Sequence, residues 1–168
     1  MGMGTAALIP VEEYLATSYS PDKEFVEGVL VERNVGEKPH SKLQRKLVIA
    51  LGGRFPSLHV WPELRMKSVD NHHRIPDVCV TLTEPETDVL EQPPFIAIEI
   101  LSKDDSMITV LEKLAEYTAI GTPNIWLFDP RKQRMYTYTT GTLQEIAGET
   151  IATADGFVQL SRAEIFQD

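Results

Sequence analysis

The stretch PFIAIEILS, residues 94–102, decides the fold because it is an apolar run that carries one acid. Alternate residues of a strand face opposite sides of a sheet, so Ile96, Ile98 and Ile100 share one face and Glu99 lies on the other. Both faces are apolar, which predicts an interior strand covered on both sides. A charge in such a strand is costly unless it is paired or binds a metal, so Glu99 indicates a site.

A second apolar stretch, residues 75–82, repeats this pattern with an acid near its start. Asp77 follows Pro76, at a strand position where proline is tolerated. A salt bridge, a hydrogen-bonded pair or a metal would explain either acid. Simpler explanations stay open, because Asp77 alone could cap a turn and Glu99 could be the partner of a buried lysine without any metal.

Length and composition limit the classes of protein to which this chain can belong. The 168 residues are expected to form one domain, 1–168, in which residues 1–9 are a loose terminus. The net charge of −9 argues against general nucleic-acid coating, although a nuclease could still draw positive charge from bound cations. The single cysteine, Cys79, excludes a disulfide framework and favours the cytoplasm. No apolar run is long enough to cross a bilayer, so no membrane contact is expected.

Helical and strand patterns alternate along the chain. Periodicity and breaker residues predict a short helix at 11–15, a strand pair split by Gly28 within 25–32, helices over 40–54 and about 107–120, and strands over 124–128 and 134–139. Gly52 and Gly53 are expected to end the first long helix. The polar residues 70–73 are expected to form a solvated turn. This order predicts an α/β protein with a mixed β-sheet flanked by helices on both faces.

The two acids are suited to a hard cation. Mg²⁺ or Mn²⁺ takes oxygen ligands, often one or two carboxylates with waters and phosphate oxygens. Asp77, Glu99 and the backbone carbonyl of Ile100 could supply such ligands at one sheet edge. The ion would lower the pKa of a bound water and polarise a phosphate, which is the chemistry of phosphodiester hydrolysis.

Hydrolysis of this kind also benefits from a lysine that orients the water and stabilises developing charge. Asp77 and Glu99 resemble the two acids of the PD-(D/E)XK nuclease motif, which has a lysine two residues after the second acid. In this chain that position is Leu101, so the lysine must come from elsewhere. Lys103 would share a face with Glu99 if the strand continued that far. Lys113 falls at the edge of the apolar stripe of the next helix, at about 100° per residue. We favour Lys113, because Lys103 lies in the expected turn.

With these motifs in this order, the chain resembles the Uma2 family, also called DUF820, within the PD-(D/E)XK nuclease superfamily. The resemblance spans nearly the whole chain and rests on His40 and on residues 11–15, 25–31, 76–78, 94–102, 112–117 and 121–130. Each piece alone is weakly specific, whereas their combination is specific. The resemblance implies a restriction-endonuclease-like core and a divalent-metal phosphodiesterase site.

The resemblance also implies roles for individual residues. It places the metal acids on Asp77 and Glu99, a further glutamate on Glu27, and the relocated lysine on Lys113. The family often has proline after the serine that ends the second strand, where this chain has Lys103, and this leaves both lysines open. Without a site, Glu27 would be an exposed hairpin acid and Lys113 a lysine covering apolar surface.

Three further residues are expected to contact phosphate or nucleic acid. The resemblance brings His40 and Gln44 to the site, and Lys103 is added for its position after the acidic strand. The structural alternative for His40 is an ordinary residue of a helix's first turn.

Two functions follow from these expectations. The first is a Mg²⁺- or Mn²⁺-dependent endonuclease that hydrolyses phosphodiester bonds in DNA and acts as a homodimer. The second is a non-catalytic domain with a nuclease fold that serves for binding or dimerisation, which is motivated by the acidic charge and the lack of an obvious basic groove. RNA remains an open alternative to DNA.

Overall fold

The computed structural model describes residues 7–34 and 36–168. Its helices are α1 (Val11–Ala16), α2 (Lys38–Arg54), α3 (Met107–Ala119) and α4 (Arg162–Phe166). Its strands are β1 (Glu24–Val26), β2 (Val29–Val31), β3 (His59–Pro62), β4 (Met66–Lys67), β5 (His72–Arg74), β6 (Val78–Thr81), β7 (Ile96–Ile100), β8 (Asn124–Asp129), β9 (Arg134–Thr139), β10 (Thr142–Glu145), β11 (Thr150–Ala152) and β12 (Gln159–Ser161).

A mixed sheet in the order β10-β9-β8-β7-β6-β3 forms the centre of the molecule. Strands β7 and β8 are parallel, and the other neighbours in this sheet are antiparallel. Strand β7 is therefore interior, as its two apolar faces predict. The predicted α/β class, with helices flanking a mixed sheet, is confirmed.

Each face of the central sheet has its own apolar core. On one face, α2 and α4 pack over the isoleucines of β7, with Leu47 and Trp126 among the buried side chains. On the other face, α3 packs through Leu114 and Tyr117 over the side that carries Ala97. Glu99 has the same strand parity as Ala97, so its side chain projects toward α3.

Helix α2 packs on the sheet through Leu43, Leu47 and Leu51, which recur every fourth residue along one stripe. The predicted end of this helix at residue 54 is confirmed, whereas the expectation that Gly52 and Gly53 end it is wrong, because both glycines lie within α2. Neither glycine takes a positive φ, which is the conformation that makes glycine a helix terminator.

A smaller antiparallel sheet, β2-β1-β5-β4, lies beside the acidic strands. A two-residue turn joins β1 to β2, and both of its residues, Glu27 and Gly28, have positive φ (51° and 85°), as a type I′ hairpin requires. The expectation of a solvated turn at 70–73 is wrong for its second half, because β5 contains His72 and His73. His73 is buried opposite Phe25.

The expected loose terminus, 1–9, lies outside the described residues for its first six positions. At its other end, the Ile9 N–H donates to the Gly28 carbonyl over 2.9 Å, which attaches the chain to the β1–β2 turn. That residues 1–168 form one domain stays a prediction. Within the described residues, none of the helices has the length and apolar character needed to span a membrane.

Candidate active site

Two neighbouring strands bring Asp77 and Glu99 together. Strands β6 and β7 are antiparallel with Val78 opposite Ile98, so continuing the register by one residue places Asp77 opposite Glu99. Directly opposed residues on one face lie about 4.5–5.5 Å apart at Cβ, and like charges there repel. Both acids are more than nine-tenths buried, so this pair requires compensation from its surroundings.

Asp77 is surrounded by hydrogen-bond donors. Its Oδ2 accepts from the Ile100 N–H at 2.7 Å, and its Oδ1 lies 3.1 Å from His40 Nε2 and 3.3 Å from the Arg33 guanidinium. Burial disfavours the charged form, but the hydrogen bond and charge of His40, the charge of Lys113 and the Ile100 N–H together lower the pKa of Asp77. Asp77 is therefore ionised at neutral pH.

His40 shares this interaction from the other side. Burial favours the neutral imidazole, and the hydrogen bond and charge of Asp77 outweigh burial, so the pKa of His40 is raised. Gln44, one helical turn further along α2, donates to the backbone carbonyl of Asp77 at 2.9 Å. The expected placement of His40 and Gln44 beside Asp77 agrees with these contacts, whereas their contact with phosphate stays a prediction.

Glu99 has the opposite electrostatic balance. Its Oε1 accepts from Tyr117 Oη at 2.6 Å and lies 2.9 Å from Lys113 Nζ. Burial and the negative charges of Asp77 and Glu24 exceed the effect of Lys113 and Tyr117, so the pKa of Glu99 rises to about 7. Glu99 thus exchanges a proton near neutral pH while Asp77 stays charged.

Lys113 bridges two glutamates. Its Nζ lies 2.9 Å from Glu99 Oε1 and 2.9 Å from Glu24 Oε1, and its side chain is only 13% exposed. Although burial alone would favour the neutral amine, the charges of Glu99, Glu24 and Asp77 outweigh it and raise the pKa of Lys113. Lys113 is therefore a permanent ammonium group, and its proton is not available for transfer at physiological pH.

Glu24 is the third acid of the cluster. Besides Lys113, it accepts from Arg74 at 3.1 Å and from the Ile75 N–H at 3.0 Å. Burial opposes its ionisation, yet these contacts lower its pKa. The family resemblance placed a glutamate of the site on Glu27. In the structure, the glutamate that reaches the cluster is Glu24. Glu27 is 72% exposed in the β1–β2 turn and lies 3.6 Å from His72 instead.

The two candidate lysines, Lys103 and Lys113, differ in their contacts. Lys103 lies on the surface, 58% exposed, and pairs with Glu37 at 2.9 Å, so it does not reach Glu99. Strand β7 ends at Ile100, and Lys103 lies in the turn that follows it. Leu101, at the position where the PD-(D/E)XK motif has lysine, packs against the core on the α3 side.

A second group of polar residues contacts the cluster through Glu24. The Arg74 guanidinium contacts Glu24 and forms two hydrogen bonds to Glu116, at 2.9 and 2.6 Å. Glu116 also accepts from Ser68 at 2.8 Å and lies 2.9 Å from His72 Nδ1. The orientation of Glu24, and through it Lys113, is therefore set by a paired network.

Sequence reasoning missed Glu24, Arg33 and Tyr117 as members of the cluster. A signal for Glu24 was present in the sequence. A Glu-Gly turn makes Val26 the last residue of its strand. Because alternate residues of a strand share a face, Glu24 then lies on the same face as Val26. Tyr117 lies four residues after Lys113 and so on the same helix face. Arg33 follows β2 and carries no local pattern that could have indicated its contact with Asp77.

The cluster opens into a cavity of about 230 Å³, which is lined by Arg33, Asp77, Glu99, Ile100 and Lys113 among others. Arg33, His40 and Asp77 also line a second cavity of about 250 Å³. Among the described residues, no group of three or more His, Cys, Asp or Glu side chains is arranged to hold a metal ion. Two opposed carboxylates beside a polar cavity match the smaller protein ligand set that suffices for Mg²⁺.

Comparison with known proteins identifies the family. The family profile Uma2, described as "Putative restriction endonuclease", matches residues 11–164. The chain belongs to the Uma2 family. Its fold and family point to a nuclease of the restriction-endonuclease-like kind. Among curated proteins no relative matches.

Two solved structures are similar to this Uma2 chain. A protein from Anabaena variabilis ATCC 29413, described as "a putative nuclease belonging to DUF820", shares 22% identity at a TM-score of 0.79, over 94% of this chain and 97% of that one. It shows the same fold. The DrdV–DNA complex aligns over 63% of this chain and 12% of that one, with 16% identity and a TM-score of 0.37.

Proposed function

We propose that this chain is a Mg²⁺- or Mn²⁺-dependent endonuclease that hydrolyses phosphodiester bonds in DNA. The observation that carries the proposal is the opposed pair of buried acids, Asp77 and Glu99, with Lys113 Nζ 2.9 Å from Glu99 at the edge of a 230 Å³ cavity. Membership of the Uma2 family supports the same chemistry.

In this proposal, Asp77, Glu99 and the carbonyl of Ile100 hold the cation. When bound, the cation supplies an activated water and a Lewis acid for the phosphate. Lys113 contributes a fixed positive charge that orients the attacking water and stabilises the negative charge that develops on the phosphate. It does not act as the general base, because its pKa is raised and it stays protonated.

Arg33, His40 and Gln44 complete the phosphate side of the proposed site. The Arg33 guanidinium has five donors, and its contacts with Asp77 and Glu63 are long (3.3 and 3.7 Å), so donors remain for a phosphate oxygen. His40 holds Asp77 through Nε2, while its buried Nδ1 has no partner among the described residues. Gln44 holds the Asp77 backbone.

The test is cleavage of supercoiled plasmid with Mg²⁺ or Mn²⁺ by the wild type, Asp77→Ala and Glu99→Ala. We expect nicked and linear products from the wild type and a loss of about 10²-fold or more in each variant. Equal activity in all three preparations would trace the cleavage to a contaminant and reject the proposal. A labelled RNA of the same sequence, run in parallel, distinguishes RNA from DNA.

A non-catalytic binding or dimerisation module is the second candidate. It is favoured by the fact that Lys113 already satisfies Glu24 and Glu99 without a metal. A crystal soaked in Mn²⁺ separates the two, because anomalous density between Asp77 and Glu99 is expected only for the nuclease. Homodimer formation, which would place two sites on one duplex, and a cytoplasmic location belong to the proposal; analytical ultracentrifugation measures the first.

A further inference from the structure

Helix α2 is unusually basic for this acidic chain. Its 17 residues contain no Asp or Glu, but they carry Lys38, Lys42, Arg45, Lys46 and Arg54, five of the 16 Lys and Arg residues in a protein of net charge −9. Lys38, Lys42 and Lys46 are spaced by four residues, so they lie along one side of the helix. We call these three residues the α2 lysine stripe.

The stripe borders a groove rather than a flat surface. All three lysines line a cavity of about 260 Å³, whose other walls are the turn after β8, at Pro130 and Gln133, and helix α4, at Ile165. From Lys38 to Lys46 the helix rises about 12 Å, at about 1.5 Å per residue. Three positive charges in a line of this length are complementary to the regularly spaced phosphates of a nucleic-acid strand.

The stripe begins at the edge of the sheet that holds the candidate active site. Glu37, immediately before Lys38, pairs with Lys103, which follows β7, and with Arg131, which follows β8. Glu99 lies near the carboxyl end of β7. The stripe therefore starts beside the strand ends that carry the site. It runs along α2 on a different side of the helix from His40 and Gln44, which contact Asp77.

The chain itself places an acid on the stripe. Asp168 Oδ1 lies 2.5 Å from Lys42 Nζ and 3.9 Å from Lys46 Nζ, and Lys46 also donates to the Gln167 carbonyl. Asp168 is 80% exposed, so it holds this place weakly. A carboxylate on two lysines is the arrangement that a phosphate would take. Lys38 has no ion-pair partner within residues 7–34 and 36–168.

We propose that the α2 lysine stripe binds the phosphate backbone of the DNA duplex whose cleavage is proposed above. The proposal rests on that function and adds the surface on which the substrate lies. An anionic membrane is the weaker partner, because interfacial helices need an exposed apolar face. The leucine face of α2 is buried in the protein, and Ile49 is its one large exposed apolar side chain among the described residues.

The experiment compares two variants with the same change in charge. Lys42→Gln alters the stripe, whereas Lys67→Gln alters an exposed lysine of β4 in the smaller sheet. Binding of a fluorescein-labelled DNA duplex is measured by anisotropy in Ca²⁺, over a series of salt concentrations. We expect Lys42→Gln to weaken binding about five- to tenfold at 0.1 M salt and to reduce the log–log salt slope by about one. Lys67→Gln should leave both unchanged.

A change in the opposite direction is expected for Asp168→Asn, which should tighten binding by about twofold because a competing carboxylate is removed.

Equal effects of Lys42→Gln and Lys67→Gln, or no DNA binding by the wild type, would overturn the proposal. So would loss of binding to phosphatidylserine vesicles in Lys42→Gln with unchanged DNA affinity. Plasmid cleavage that persists unchanged in Lys42→Gln would reject the stripe and leave the nuclease proposal standing. DNA binding that depends on the stripe, without any plasmid cleavage, would support the stripe and reject the nuclease proposal.

Discussion

Lys113 compensates two buried carboxylates, so its removal should affect both stability and activity. Lys113→Ala leaves Glu24 and Glu99 without their shared cation, and breaking a buried pair in this way costs about 3–5 kcal/mol. We expect the free energy of unfolding, measured in urea, to fall by about that amount and the proposed cleavage to be lost. Lys103→Ala is the matched control, because Lys103 is exposed and should change stability by less than about 0.5 kcal/mol. Equal effects would contradict the choice of Lys113.

Glu24 and Glu27 provide a second matched pair three residues apart. Glu24→Gln removes a charge that pairs with Lys113 and Arg74 in a buried setting, whereas Glu27→Gln changes an exposed turn residue. We expect Glu24→Gln to destabilise the protein by about 2–4 kcal/mol and Glu27→Gln to be neutral within about 0.5 kcal/mol. Chemical denaturation of the two variants checks this. A larger effect at Glu27 would restore the assignment that the resemblance suggested.

Glu99 should make the stability of the metal-free protein depend on pH. Its pKa is raised from 4.5 to about 7, so between these values the folded state holds a proton that the unfolded state has lost. The stabilisation from this residue is complete below about pH 4.5 and disappears as the pH rises through about 7. Glu99→Gln should therefore flatten the pH profile of the unfolding free energy in this window, measured in EDTA. An unchanged profile would exclude a raised pKa at Glu99.

Individual site residues could be predicted where local pattern alone determines them. The alternation around Glu99 indicated which face it occupies, and the angle of about 100° per residue put Lys113 at the edge of the buried stripe. Arg33 could not be found in this way, because its contact with Asp77 spans 44 residues and depends on how two sheets meet. Glu24 was missed because it lies only three residues from Glu27, and only the turn geometry shows that Glu24 belongs to β1 while Glu27 lies in the turn.

Helix α3 carries Lys113 and Tyr117, so its packing should govern the geometry of the site. Leu114, which follows Lys113 in the sequence, is fully buried, whereas Ile108 of the same helix is 73% exposed. We expect Leu114→Ala to lower the unfolding free energy by about 2–5 kcal/mol and Ile108→Ala to change it by less than about 0.5 kcal/mol. Urea denaturation of both variants is the measurement. Similar values would mean that α3 does not dock as the structure shows.

The secondary structure elements followed from periodicity more reliably than their ends did. The interior strand β7 and helix α3 match their predicted positions, because long apolar patterns determine them. Helix α2 passes through Gly52 and Gly53, since the packing of Leu47 and Leu51 outweighs the small helix preference lost at two glycines. Burial of His73 was unpredictable locally, because it depends on the pairing of β5 with β1.

The whole molecule should respond to divalent cations if the proposed site binds them. A ligand that binds only the folded state at a hundred times its Kd adds about 2.7 kcal/mol, or about 5–10 °C in Tm for a chain of this size. We expect such a shift with Mg²⁺ above pH 7 and a smaller one near pH 5, since Glu99 must lose its proton to bind a cation. Differential scanning fluorimetry measures the shift. Asp77→Asn should abolish it, and its persistence in that variant would place the cation elsewhere.

The cluster is built from parts that are far apart in the chain, and this affects how the molecule comes into being. Glu24, His40, Asp77, Glu99 and Lys113 come from two sheets and two helices, and the last of them lies two-thirds of the way along the sequence. A chain growing on the ribosome cannot assemble the cluster until α3 has emerged and docked. Whatever chemistry the cluster performs is therefore absent until the chain has been made through α3 and this helix has docked.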